Sequence, residues 1–161
     1  MRILRISEEV AARGHEVHLV TYHLGSGEVP PGLRLHRIRN IRTYRKLSPG
    51  PTYQKLFLLD TLLAWKLRGV LRGQQIDLIH AHHFEGLLAS LLARGRRPIP
   101  SIYDAHTVLE SELHFYGLGL WKSAKQAIRR VIDPWLPARA DPVIAVSPKH
   151  SNAPVVGRKT T

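Results

Sequence analysis

Ile76-Asp77-Leu78-Ile79-His80-Ala81-His82-His83 and Ile99-Pro100-Ser101-Ile102-Tyr103-Asp104-Ala105-His106-Thr107 decide the fold of this chain. Each is an apolar stretch of strand length that ends in polar, titratable residues. Between them, Phe84 to Arg97 has helical spacing. Strand, helix and strand at these distances predict a βαβ unit, whose strands run parallel. Both polar clusters then fall at the carboxyl ends of neighbouring strands. In open α/β sheets that edge is where ligands bind.

The same alternation extends outward in both directions. Ile3, Ile6 and Val10 share one side of a helix that runs to Arg13, and Gly14 suits its C′ position. Glu16 to Tyr22 predicts a strand, and Leu33 to Ile38 predicts a second, partly exposed one. Ser48-Pro49-Gly50-Pro51 is a breaker before the longest expected helix, Thr52 to Arg72. That helix is apolar on two sides: Leu56, Leu59, Leu63, Leu67 and Val70 form one stripe, and Leu58, Leu62 and Trp65 another. Such a helix is buried or touches something besides its own sheet. A further helix is expected near Leu120 to Ala138, and a last strand at Asp141 to Ser147. The expected fold is therefore α/β, a Rossmann-like, mostly parallel sheet flanked by helices.

Bulk properties narrow the function. The 161 residues suffice for one domain with a core. The absence of cysteine removes disulfides and thiolate metal sites. The longest apolar run, around Leu56 to Trp65, is interrupted by Asp60 and is far shorter than the ~20 residues a bilayer span needs. The net charge of +12 favours an anionic partner. Much of it lies between Arg34 and Arg72, where Asp60 is the sole acid. Arg42, Arg45, Lys55, Lys66, Arg68 and Arg72 are the candidate membrane- or anion-binding residues there, against the alternative of a merely solvated basic face.

Two chemistries are open to the polar strand ends. His80 and His82, two apart in an extended segment, point to one side, and Asp104 and His106 repeat that offset on the next strand. Histidine suits proton transfer near neutral pH. His-x-His beside Asp-x-His could also supply metal ligands to a hydrolase. The plainer reading has His80 and His82 hydrogen-bonding across the strand ends and shaping a pocket, with no metal. His106 is the stronger functional candidate, and Thr107 to Leu113 can form a loop or helix start that cradles an anion. The chain contains no dinucleotide fingerprint, P-loop or nucleophile elbow. No nucleic-acid-binding motif accompanies the charge.

Four segments resemble signatures of the family-four retaining glycosyltransferases, in order and in register from Arg2 to Lys149. Glu8 to Thr21 (EEVAARGHEVHLVT) is similar to the family's EELAARGHEVHVVT, and Asp77 to His82 (DLIHAH) to its DVVHAH. Tyr103 to Thr107 (YDAHT) resembles its T/YDAHT segment, and Ala140 to Ser147 (ADPVIAVS) its ADxVIAVS. The resemblance implies a GT-B architecture of two Rossmann-like domains, with residues 1–149 forming the acceptor-side N-terminal one; residues 150–161, where the pattern dissolves into Ser, Asn, Pro, Gly and Thr, read as a disordered tail. It implies that His106 is the active-site histidine that contacts the transferred sugar. His80, His82, Asp104, Thr107 and Glu110 are then expected to line the substrate cleft. The donor is expected to be a nucleotide-diphosphate sugar, with no further cofactor, and the acceptor a lipid or glycan. The expected location is cytoplasmic, with peripheral attachment to the inner membrane face through the basic segment.

The chain also departs from the family pattern. A hydrophobic strand and a Gly-Gly loop normally precede the first helix, whereas here Met1 falls at or just before that helix. The C-terminal domain, with its phosphate-binding basic pair and its two glutamates, is expected as a missing partner. The chain accordingly reads as clipped at both ends and inactive by itself, and loss of a central strand would leave two ladder edges unpaired. A milder reading makes Arg2 to Ile6 a short first strand, but Ser7-Glu8-Glu9 leaves no room for the loop.

Overall fold

A computed structural model describes residues 2–25, 29–42, 44, 58–105, 130, 135–141 and 143–145. Helix α1 (Arg2–Ala12) leads to strand β1 (Val17–Thr21) and strand β2 (Leu33–Arg37). Helix α2 (Asp60–Gly73), strand β3 (Ile79–His82), helix α3 (His83–Arg94) and strand β4 (Ser101–Ala105) follow. A short 3-10 helix (Pro137–Arg139) precedes strand β5 (Val143–Ala145). Every strand pairing is parallel. The fold is thus α/β, as the alternation of strand and helix predicts.

The sheet comes in two pieces, β1-β2 and β3-β4-β5. Among the described residues no strand bridges the two pieces. Arg2 to Ile6, the alternative first strand, is helical. Helix α1 stops where expected: Gly14 adopts φ +88° and its amide donates to the Ala11 carbonyl over 2.9 Å. Gly95, with φ +59°, caps α3, its amide donating to the Leu91 carbonyl over 3.1 Å.

The strands are shorter than their apolar stretches. Ile76 to Leu78 and Ile99 to Pro100 run into β3 and β4 without pairing as strand, and His83 already opens α3. The chain therefore turns from β3 into α3 with no connecting residue. His83 makes the reversal at φ +60°, a conformation that His, Asn and Asp reach more readily than other side chains. Of the helix expected near Leu120 to Ala138, Arg130 and Trp135 are helical, and Pro137 to Arg139 form the 3-10 turn. Residues 52–57, 106–129 and 146–161 lie outside the described residues, and with them Lys55, His106, Thr107, Glu110 and the expected tail. Arg45 does so as well.

Two helices hold the pieces together. Leu87 of α3 is buried with Ala81, Phe84, Tyr103, Ala105 and Leu136, which fixes α3 on the β3–β4 ladder. On α3's other side, Ala89 joins Leu59, Leu63 and Ala64 near α2, with Ile38 and Tyr44 and with Val20 and Tyr22 from the β1 side. A small residue at position 89 lets the two helices approach closely. Asp60, in the first turn of α2, is buried and accepts a hydrogen bond from the Tyr22 hydroxyl over 2.5 Å. The charge that interrupts the apolar run thus sits at a helix N-terminus, where the backbone dipole favours it.

Leu87 and Leu92 lie on one helix with opposite burial, 0% and 59% exposed. Leu87→Ala is expected to cost about 2–5 kcal/mol of unfolding free energy, and Leu92→Ala less than about 0.5 kcal/mol, measured by chemical denaturation.

Candidate functional site

The parallel register of β3 and β4 sets the site. It pairs His82 with Asp104 and His80 with Ile102, so both histidines and the carboxylate meet at the carboxyl edge. The imidazoles of His80 and His82 lie 4.3 Å apart between centroids, tilted by 32°. His82 Nδ1 stands 3.2 Å from Asp104 Oδ2. Asp104 is fully buried at 0% exposure, and a lone carboxylate there would be strongly disfavoured.

The compensating cation comes from the far end of the chain. Arg2, at the start of α1, places Nη2 3.3 Å from Oδ1 and 3.2 Å from Oδ2 of Asp104. Sequence reasoning did not identify Arg2. A buried Asp104 demands a partner, but nothing in the local sequence says that a residue 102 positions away supplies it. The guanidinium side chain is 43% exposed, so this ion pair is buried on one side only.

His80 differs from its neighbour. Among the described residues its Nε2 is buried and meets no hydrogen-bond partner. Burial pushes its pKa below the ordinary 6.5, and the nearby Arg2 adds to that, while Asp104 opposes it. His80 is therefore a neutral imidazole at pH 7. Ligand atoms of His80, His82 and Asp104 all lie within 4.8 Å of one another, so these three are the described residues able to hold an ion.

A second histidine pair lies on the other sheet. His18 and His36 stack with centroids 5.1 Å apart and planes 4° from parallel. His18 Nδ1 lies 2.9 Å from His36 Nε2, and His18 Nε2 lies 3.0 Å from Glu16. Glu16 as acceptor requires a proton on His18 Nε2, so in the neutral pair His36 Nε2–H donates to His18 Nδ1. Glu16 also binds Arg34 over 3.0 Å. Burial, then His18, Lys66 and Arg34, push the His36 pKa below 6.5. The alternation of β1 and β2 puts these two rings on one face, a signal that was available in the sequence.

Of the residues singled out from the sequence, His80, His82 and Asp104 come together. Arg42, Lys66, Arg68 and Arg72 are exposed at the surface.

Both lowered histidines give the same sign of pH dependence. The unfolded chain takes up these protons near pH 6.5, and the folded chain only at lower pH. Stability is therefore insensitive to them above 6.5 and falls as pH drops below it. Melting temperature is expected to be higher at pH 7.5 than at pH 5.5, with the difference reduced in His36→Gln and in His80→Gln. Equal melting temperatures at the two pH values would contradict this.

No curated protein matches the chain. A family model described as a glycosyl transferase 4-like domain matches residues 1–152. This span contains both sheets, the Asp104 site and the four signature segments, and the chain belongs to the glycosyl transferase 4-like domain family.

Proposed function

We propose that this domain is the acceptor-side wall of a retaining glycosyltransferase, which moves a sugar from a nucleotide-diphosphate sugar to a lipid or glycan acceptor. The observation that supports this most is the convergence of His80, His82, Asp104 and Arg2 at the carboxyl edge of β3 and β4. A neutral His80 imidazole beside a buried carboxylate is suited to bind and orient hydroxyl groups. His106, two residues past Asp104 in sequence, is assigned contact with the transferred sugar, and Thr107 and Glu110 are assigned to the same cleft.

Transfer needs the donor and the acceptor held against each other, so one wall alone orients only one of them. The domain is accordingly assigned acceptor binding without turnover, its nucleotide-binding partner domain supplying the donor phosphates. Titration of the chain with short glycans and lipid-linked sugars, followed by tryptophan fluorescence, should show saturable binding. His82→Ala should weaken it about tenfold, the value of one lost hydrogen bond. Hydrolysis of any sugar nucleotide by the chain, or acceptor binding indifferent to His82→Ala, would count against the assignment.

A second reading, a domain that docks on anionic membranes, draws on α2. Trp65 is 76% exposed there, with Leu58 also exposed and Lys66, Arg68 and Arg72 around it. No helix among the described residues is long and apolar enough to cross a membrane. An aromatic ring among cations suits a peripheral contact at the headgroup level, on the cytoplasmic leaflet. Vesicles containing phosphatidylserine should bind the chain, and neutral phosphatidylcholine vesicles should not. Reversing Lys66, Arg68 and Arg72 to Glu should abolish sedimentation with the vesicles, and raised salt should weaken it. Binding that ignores both changes would exclude this surface.

A further inference from the structure

We propose that His80, His82 and Asp104 form a site for a divalent transition-metal ion of the zinc class, and that Arg2 is the built-in cation this ion displaces. Two imidazoles and a carboxylate are the donor types such ions select. With metal–ligand bonds of about 2.0–2.1 Å, two donors on a tetrahedral ion lie about 3.4 Å apart. His82 Nδ1 and Asp104 Oδ2 are already 3.2 Å apart, and the His80 donor lies within 4.8 Å of both. Binding therefore requires the His80 side chain to rotate so that its donor closes the remaining gap. His80 Nε2 is a buried nitrogen with no described hydrogen-bond partner, so its recruitment as a ligand sacrifices nothing seen here. Three protein ligands leave at least one position for water or a substrate oxygen.

Arg2 makes the site conditional. Its guanidinium approaches both carboxylate oxygens of Asp104 over 3.2–3.3 Å, where it neutralises the buried charge in the absence of an ion. The arginine side chain is 43% exposed and can swing into water. The ion and Arg2 therefore compete for Asp104. The plainer reading of the sequence expects no metal here, with His80 and His82 hydrogen-bonding across the strand ends, and the Arg2 contact cannot be read from the motifs.

The test is zinc titration of the full, chelator-stripped chain by calorimetry, with elemental analysis after desalting and cobalt absorption as a report on ligand number. One zinc per chain is expected, lost in His80→Ala and in Asp104→Asn and retained in His18→Ala. Arg2→Ala should bind zinc roughly tenfold more tightly, the scale of a change beside the ligands. Because Asp104→Asn removes a buried charge and can unfold the chain, the partly exposed His80→Ala carries the decision, with its fold checked by circular dichroism. Absence of stoichiometric zinc, or zinc lost in His18→Ala instead of His80→Ala, overturns the site. An unchanged affinity in Arg2→Ala overturns the competition.

Discussion

A carboxylate with no exposure to water is the constraint around which this domain is arranged. Asp104 sits at 0% exposure on β4, and its charge must be compensated by groups that reach it. His82 approaches it across the β3–β4 ladder, and Arg2 brings the opposite charge from the start of α1. The first contact is inherent in the register of two paired strands. The second ties the beginning of the chain to a strand 102 residues later. Removing Arg2 would leave the carboxylate dependent on an imidazole, which carries charge only when protonated. Loss of one partner from a buried charge is costly, so Arg2 contributes to stability as well as to orientation.

That tie gains weight because the sheet is divided. Among the described residues no strand joins the two pieces, and no ladder hydrogen bond links them. The connection falls to side chains. One is the apolar seam in which Ala89 of α3 meets Leu59, Leu63 and Ala64 near α2. Another is Arg2 on Asp104, since α1 is packed against β1 and β2 while its first residue reaches the opposite sheet. Edges of β1 and β3 that are free of described strands carry backbone groups whose satisfaction lies with other atoms. The candidate site lies beside this division, where β3 is an edge strand of its sheet.

Much of the fold was legible in the sequence because the signals were periodic. Helical spacing located α1 and α3 to within a few residues, apolar runs located β1, β3 and β4, and alternation of apolar and basic residues located β2. The boundaries moved inward where ladder pairing, rather than hydrophobicity, decides a strand: Ile99 and Pro100 are apolar, but the strand starts at Ser101. The long helix is described only from Asp60, since residues 52–57 fall outside the description. At the site, His80, His82 and Asp104 were recognisable because parity and parallel pairing together bring them to one edge. Arg2 was not, because long-range partners of a buried charge leave no periodic trace. The His18–His36 stack was readable by parity, but it lies on the other sheet and attracts notice only when the register is known.

The charges at the Asp104 site bear on what it can hold. Asp104 and Arg2 offset each other, and burial keeps His80 neutral near pH 7. A wall of that kind offers hydrogen bonds without excess positive charge. It suits hydroxyl groups better than a diphosphate, whose oxygens need uncompensated cations. The domain's surplus charge is elsewhere, on exposed groups such as Arg42, Lys66, Arg68 and Arg72. A divalent ion on His80, His82 and Asp104 would change this balance, since it would add its own charge and release Arg2 from the carboxylate. The same three side chains would then present a cationic wall. Hydroxyl binding and phosphate binding at this edge are thus separated by the occupancy of a few atoms, and the position of the Arg2 guanidinium tells the two states apart.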